Sequence, residues 1–161
     1  EVKNAIRHHL NIKLDDDPAY YRKLSEKLDD IIQRHHEHWE ELLRQLLLFR
    51  EEELKEDRPT PQGVSDAERP FYNLCAEFIE KNNEDDPSIH QTSRLIANKL
   101  VEFLIEAHKI VDFFNKPDEI RRLKREIKNT FLEQTSITED EFINTIIQDF
   151  MDLAKHRFGK S

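Results

Sequence analysis

Glycine is almost missing from this sequence: Gly63 and Gly159 are the two in 161 residues. That leaves little turn chemistry for β-hairpins and no glycine-rich loop to cradle a phosphate. Cysteine occurs once, at Cys75, so no internal disulfide can form, which fits a reducing, cytoplasmic setting. The one methionine is Met151 and the first residue is Glu1, so the sequence reads as an excised piece of a longer protein. No apolar run approaches the roughly 18 residues of a membrane span; the longest are short pieces such as Leu46–Phe49. No Gly-x-x-x-x-Gly-Lys stretch and no Gly-x-Ser-x-Gly elbow occurs, which excludes a P-loop and the common hydrolase nucleophile.

What is present is charge and periodicity. Charged residues make up 37% of the chain and apolar residues another 37%, spaced rather than clumped. Glu, Lys and Arg favour helix, and the size suits one core. The expected fold is all-α, an irregular and partly elongated bundle of five to six helices, forming a single domain over residues 1–161. The net charge is −9, so the chain as a whole repels nucleic-acid backbones and anionic membrane. Contact with DNA would need a local basic face.

Val2, Ile6 and Leu10 give a weak helical pattern at the start. Asp17 can cap a helix that Pro18 opens. Apolar residues then recur in steps of mostly three and four from Tyr21 to Leu54, which predicts one long helix or two broken near His35–His38. Pro59, Pro61, Gly63 and Pro70 mark a flexible loop over about residues 57–70. Ser65 and Glu68 have capping-box spacing, as do Ser88 and Gln91, and Thr138 and Glu141. The first box leads to a helix bearing Phe71, Leu74, Cys75, Phe78 and Ile79, the second to one running from Ile89 to Val111. Asn115-Lys116-Pro117 starts another helix, with Ile120, Leu123, Ile127 and Phe131 on its stripe. In the last helix Phe142, Ile143, Ile146, Ile147, Phe150, Leu153 and Ala154 form the stripe, and Ile137 against Phe142 would make a hydrophobic staple.

Candidate chemistry is sparse. His35, His36 and His38 cluster, but a metal-binding bundle needs ligands from several helices, and no Glu-x-x-His pair occurs. Asp118 and Glu126-Ile-Lys128 mimic a nuclease signature, yet eight residues of helix separate the carboxylates by about 12 Å, too far to share one ion. Cys75 lies on an apolar helix face, where it packs rather than attacks. The most distinctive local feature is basic. Between Lys116 and Lys128 stand six basic residues against three acidic ones, a local charge of +3. Arg121, Arg125 and Lys128 share one face, with Arg122 and Lys124 on its flanks. These five form a candidate docking face for a partner or a DNA backbone, or an ordinary solvated face.

Three stretches together resemble one family. "IRHHLNIKLDDDPAYYRKLSEKLDDIIQ" (Ile6–Gln33), "IVDFFNKPDEIRRLKREIKNTFLE" (Ile110–Glu133) and the final "LAKHRF" (Leu153–Phe158) are similar to the region after the motor domains in the restriction (R) subunit of type I restriction–modification enzymes. The resemblance implies a C-terminal helical domain of that subunit. Its parent would be an ATP-dependent, site-specific deoxyribonuclease that translocates DNA, with ATP and Mg held upstream. It carries no catalytic residue, metal or cofactor over to this segment. What it implies is position: packing on the motor domains of its own chain, and contact with the methylation and specificity subunits, with DNA reached through the complex.

Three readings follow. The leading one is an assembly domain that docks the translocase onto the methyltransferase core, motivated by the Tyr21–Leu54 stripe and the Arg121–Lys128 face. The second is a helical domain that binds DNA backbone through that face. The third is a stand-alone helical protein-interaction module.

Overall fold

A computed structural model describes residues 1–54, 60–82 and 87–159. Among them are seven α-helices, one 3-10 turn and no strand. The helices are α1 (Val2–Lys13), α2 (Pro18–His35), α3 (Trp39–Glu53), α4 (Arg69–Asn82), α5 (Ile89–His108), α6 (Pro117–Gln134) and α7 (Asp140–Phe158). The 3-10 turn, Phe113–Asn115, lies between α5 and α6. The all-α expectation holds, with seven helices in place of five to six. Where one domain was expected over 1–161, the chain divides into two compact units, Glu1–Pro59 and Thr60–Ser161.

In the first unit the long apolar stripe is two helices. The reversal falls at His36–His38, where the backbone leaves the helix. The Gln33 carbonyl, in the last turn of α2 and so without a helical donor, meets His36 Nδ1 at 2.7 Å. The His38 amide donates back to the His35 carbonyl at 3.0 Å. This turn folds α3 back along α2, so Tyr20 at the start of α2 donates to the carbonyl of Glu53 at the end of α3 (3.2 Å). Leu24 and Leu28 thereby meet Leu46 and Phe49, and Ile6 and Leu10 of α1 close the same core. Each such buried side chain stabilises by about 1.5–3 kcal/mol. Tyr21, Ile31, Ile32, Leu42 and Leu54 pack against this core from the side. The stripe that sequence suggested as spare interaction surface is therefore mostly the unit's own seam. Trp39 escapes it, 64% exposed at the start of α3.

In the second unit the described part of the predicted 57–70 loop, residues 60–68, is a series of hydrogen-bonded turns, and α4 already holds Arg69 and Pro70. Residues 57–59 lie outside the described residues. The Ser65–Glu68 capping box forms as its spacing predicts. All five predicted apolar residues of α4 are buried. Phe131 of α6 meets Phe78 edge-on at 5.4 Å and Phe150 of α7 at 5.7 Å, and Phe71 lies 6.4 Å from Phe150. These rings form the centre of the unit's core.

Four expectations fail here. Ser88 stands at the N-cap of α5, but its side chain makes no capping bond. Thr138 is not the cap of α7: the chain stays extended to Glu139, which takes that place without a side-chain bond. Thr135 governs the connection instead, its hydroxyl donating to the Phe131 carbonyl (2.8 Å) and accepting from the Ile137 amide (3.3 Å). Phe142 is not a stripe residue; it is exposed, while Ile143 and Met151 are buried. The helix predicted to run through Val111 stops at His108: the Lys109 and Ile110 amides donate back to the Glu106 and Ala107 carbonyls in a tightened last turn, and Asp112 beyond them takes a left-handed conformation (φ 55°, ψ 36°). Asp tolerates that region better than most residues.

Candidate functional site

The five basic residues lie where periodicity puts them, along α6 opposite its buried residues Leu123, Ile127 and Phe131. Arg121, Arg122 and Arg125 are exposed, and Lys124 and Lys128 are half-buried. Their charges, however, are largely committed. Arg121 pairs with Asp118 one turn earlier on the helix. Arg122 Nε stands 4.0 Å from Glu126. Lys128 Nζ reaches Asp140 at the first residue of α7, 3.5 Å away. Among the described residues Lys124 and Arg125 alone of the five have no carboxylate partner. Exposed pairs of this kind contribute about 1 kcal/mol or less each, so a partner could displace them cheaply. The same pairs separate Asp118 from Glu126, which face different arginines and do not share an ion site.

Beside this face runs a cleft of about 520 Å³ between the end of α5, the 3-10 turn and α6. Phe103, Ala107, Ile110, Phe113 and Leu123 give it an apolar floor, and Glu106, Lys109, Glu119, Arg122 and Glu126 a charged rim. A second cleft, about 490 Å³, lies on the other side of the same turn and is lined by His108, Val111, Phe114, Phe158 and Gly159. The connection dividing the two clefts is tightly held. Ile110 N donates to the Ala107 carbonyl at 2.9 Å, Asn115 N to Asp112 at 2.9 Å and Lys116 N to Phe113 at 3.0 Å. Phe113 is buried and stacks edge-on against Phe114 at 5.2 Å. Val111 at its crest is 77% exposed. An exposed apolar residue on a fixed turn between two clefts is a surface suited to a partner.

Sequence reasoning missed this turn. It singled out Arg122 from the first cleft but none of Phe103, Ile110, Val111, Phe113 or Phe158 as site residues. The available signal was Asp112-Phe113-Phe114 shortly before Pro117: a residue tolerant of left-handed backbone, then two aromatics, then a helix-starting proline.

The other candidates assemble no chemistry. Cys75 is fully buried, and burial pushes its thiol up to about 12, with Ser93 drawing it slightly back. That is the opposite of an activated nucleophile. His36 is occupied at the α2 reversal and stands 3.6 Å from Glu37. No group of three or more His, Cys, Asp or Glu is placed to hold a metal among the described residues. None of the described helices is long and apolar enough to cross a membrane. Comparison with family models finds no match, and comparisons with curated proteins and with solved structures find none either.

Proposed function

We propose that this chain is the C-terminal helical assembly domain of a type I restriction enzyme R subunit, docking the ATP-dependent translocase and endonuclease onto its methyltransferase core in the cytoplasm. The observation that carries this reading is the Asp112-anchored turn, with Val111 exposed between two clefts. Two of the three stretches that resemble the family meet there: Ile110–Asn115 from one, Phe158 from the end of the other. Packing of the core does not require an exposed valine or an open cleft beside it, so a partner surface accounts for both. On this reading the segment holds no reactive centre; nuclease chemistry, ATP and Mg belong to the parent subunit upstream.

Calorimetric titration of the chain with the purified methylation and specificity subunits tests the proposal. Micromolar or tighter binding is expected, weakened at least about tenfold by Val111→Asp, since burying a charge at an apolar contact costs more than 1.4 kcal/mol. No binding at micromolar concentration contradicts it. A second reading, DNA-backbone binding, is favoured by the two uncommitted cations Lys124 and Arg125. It requires duplex affinity that falls steeply with salt and drops when both become alanine.

A further inference from the structure

Two arginines meet the Thr60–Val64 turn, Arg69 by a hydrogen bond and Arg94 by packing. Pro61–Val64 is a tight turn: the Val64 amide donates to the Pro61 carbonyl at 3.1 Å, and Gly63 in third position has φ 78°. A turn of that form needs glycine there. Val64 is buried and fixes the turn to the second unit. Arg94, from α5, lies directly against Gly63. A Cβ at Gly63 would come within 2.8 Å of Arg94 Cδ and 3.1 Å of its Nη1, so the missing side chain is what admits the arginine. Arg69, at the start of α4, donates from Nη1 to Thr60 Oγ1 at 3.2 Å.

Both side chains carry an unused donor. Arg69 Nε and Arg94 Nε are buried, and neither has a hydrogen-bond partner among the described residues. Neither arginine has a carboxylate partner among the described residues. The carboxylate next along the chain is already engaged: Glu68 accepts from the Ser65 amide at 2.8 Å, and from the Asn98 amide when that side chain turns its nitrogen inward. A buried, unmet N–H on a cation is costly, and the cost is relieved by an acceptor that brings negative charge. A guanidinium presents its Nε–H and an Nη–H as a fork, which matches two oxygens of one oxyanion.

We propose that Arg69 and Arg94, seated on the Thr60–Val64 turn, form a binding site for an oxyanion group, phosphate or carboxylate. The site lies apart from the α5–α6 turn and does not rest on the assembly reading. In a chain of net charge −9 it is a local exception, built by two arginines without a carboxylate partner among the described residues.

The test is a titration of the full chain followed by the Nε–Hε signals of its arginines in proton–nitrogen correlation spectra. Inorganic phosphate and acetate are added separately, each against sodium chloride at equal ionic strength. Saturable shifts of the Arg69 and Arg94 signals are expected. A response to phosphate alone assigns a phosphate group, to acetate alone a carboxylate, and to both the shared oxyanion chemistry. Arg94→Met abolishes the response at Arg69; should that variant fold poorly, Arg94→Lys, which keeps the charge and loses the fork, weakens binding about tenfold. Shifts that never saturate, that sodium chloride reproduces, or that persist undiminished in Arg94→Lys overturn the proposal.

Discussion

Ser65 and Glu68 bond to each other's backbone: the Glu68 amide donates to Ser65 Oγ at 3.2 Å, and the Ser65 amide to Glu68 Oε1 at 2.8 Å. Two donors ahead of α4 are satisfied by this reciprocal pair, and Pro70, which has no N–H to satisfy, sits in the first turn where none is needed. Ser65→Ala removes one of the Glu68 amide's two acceptors, leaving the Ser65 carbonyl at 3.1 Å, and is expected to cost about 0.5 kcal/mol, the low end for a lost cap. Hydrogen exchange along α4 checks this. Protection there should fall while that of α1–α3 stays unchanged.

Phe131 touches both Phe78 and Phe150 and is wholly buried. Phe131→Ala removes the shared member of the ring cluster and leaves a cavity that four helices cannot readily close. The expected loss is about 3–5 kcal/mol, measured by denaturant unfolding of the second unit. Leu132→Ala, one position along and exposed, should change stability by about 0.5 kcal/mol or less. Similar losses from the two substitutions would refute this view of the core.

Cys75 should resist thiol reagents at pH 8 in the folded protein and react only on opening. Its pKa is raised to about 12 by burial, so the folded state keeps the proton where the unfolded thiol gives it up. The stability this contributes is complete below the ordinary thiol range of about 8.5. It is lost as pH rises from there through about 12, because the unfolded chain then gains a thiolate that the folded one cannot form. Labelling with a chromogenic disulfide across pH 7–10 measures both effects. Rapid labelling of the native protein would contradict them.

The helices were legible because burial in a bundle imposes the three-and-four spacing that Leu24, Leu28, Phe71 or Ile127 display. Ser65 was legible because a capping box is local. Thr138 was misread because the α6–α7 connection is set by Thr135, whose bonds join two elements rather than begin one. The overrun of α5 has a different cause: Ile110 and Val111 continue the apolar spacing, while the chain has already tightened at Lys109 and Ile110, whose amides bond to the Glu106 and Ala107 carbonyls. The surplus seen in the Tyr21–Leu54 stripe vanished once Ile6 and Leu10 supplied its partner. Spacing also placed the basic face correctly on α6. It could not show that Asp140, from another helix, takes up Lys128, nor that Gly63 makes room for Arg94.

The assembly reading is tested most directly by hydrogen exchange of this chain with and without the methylation and specificity subunits. The account predicts new protection concentrated in residues 106–116 and along α6, with the α1–α3 unit unchanged. Binding without protection of the Asp112 turn, or no change anywhere at saturating core, would contradict it.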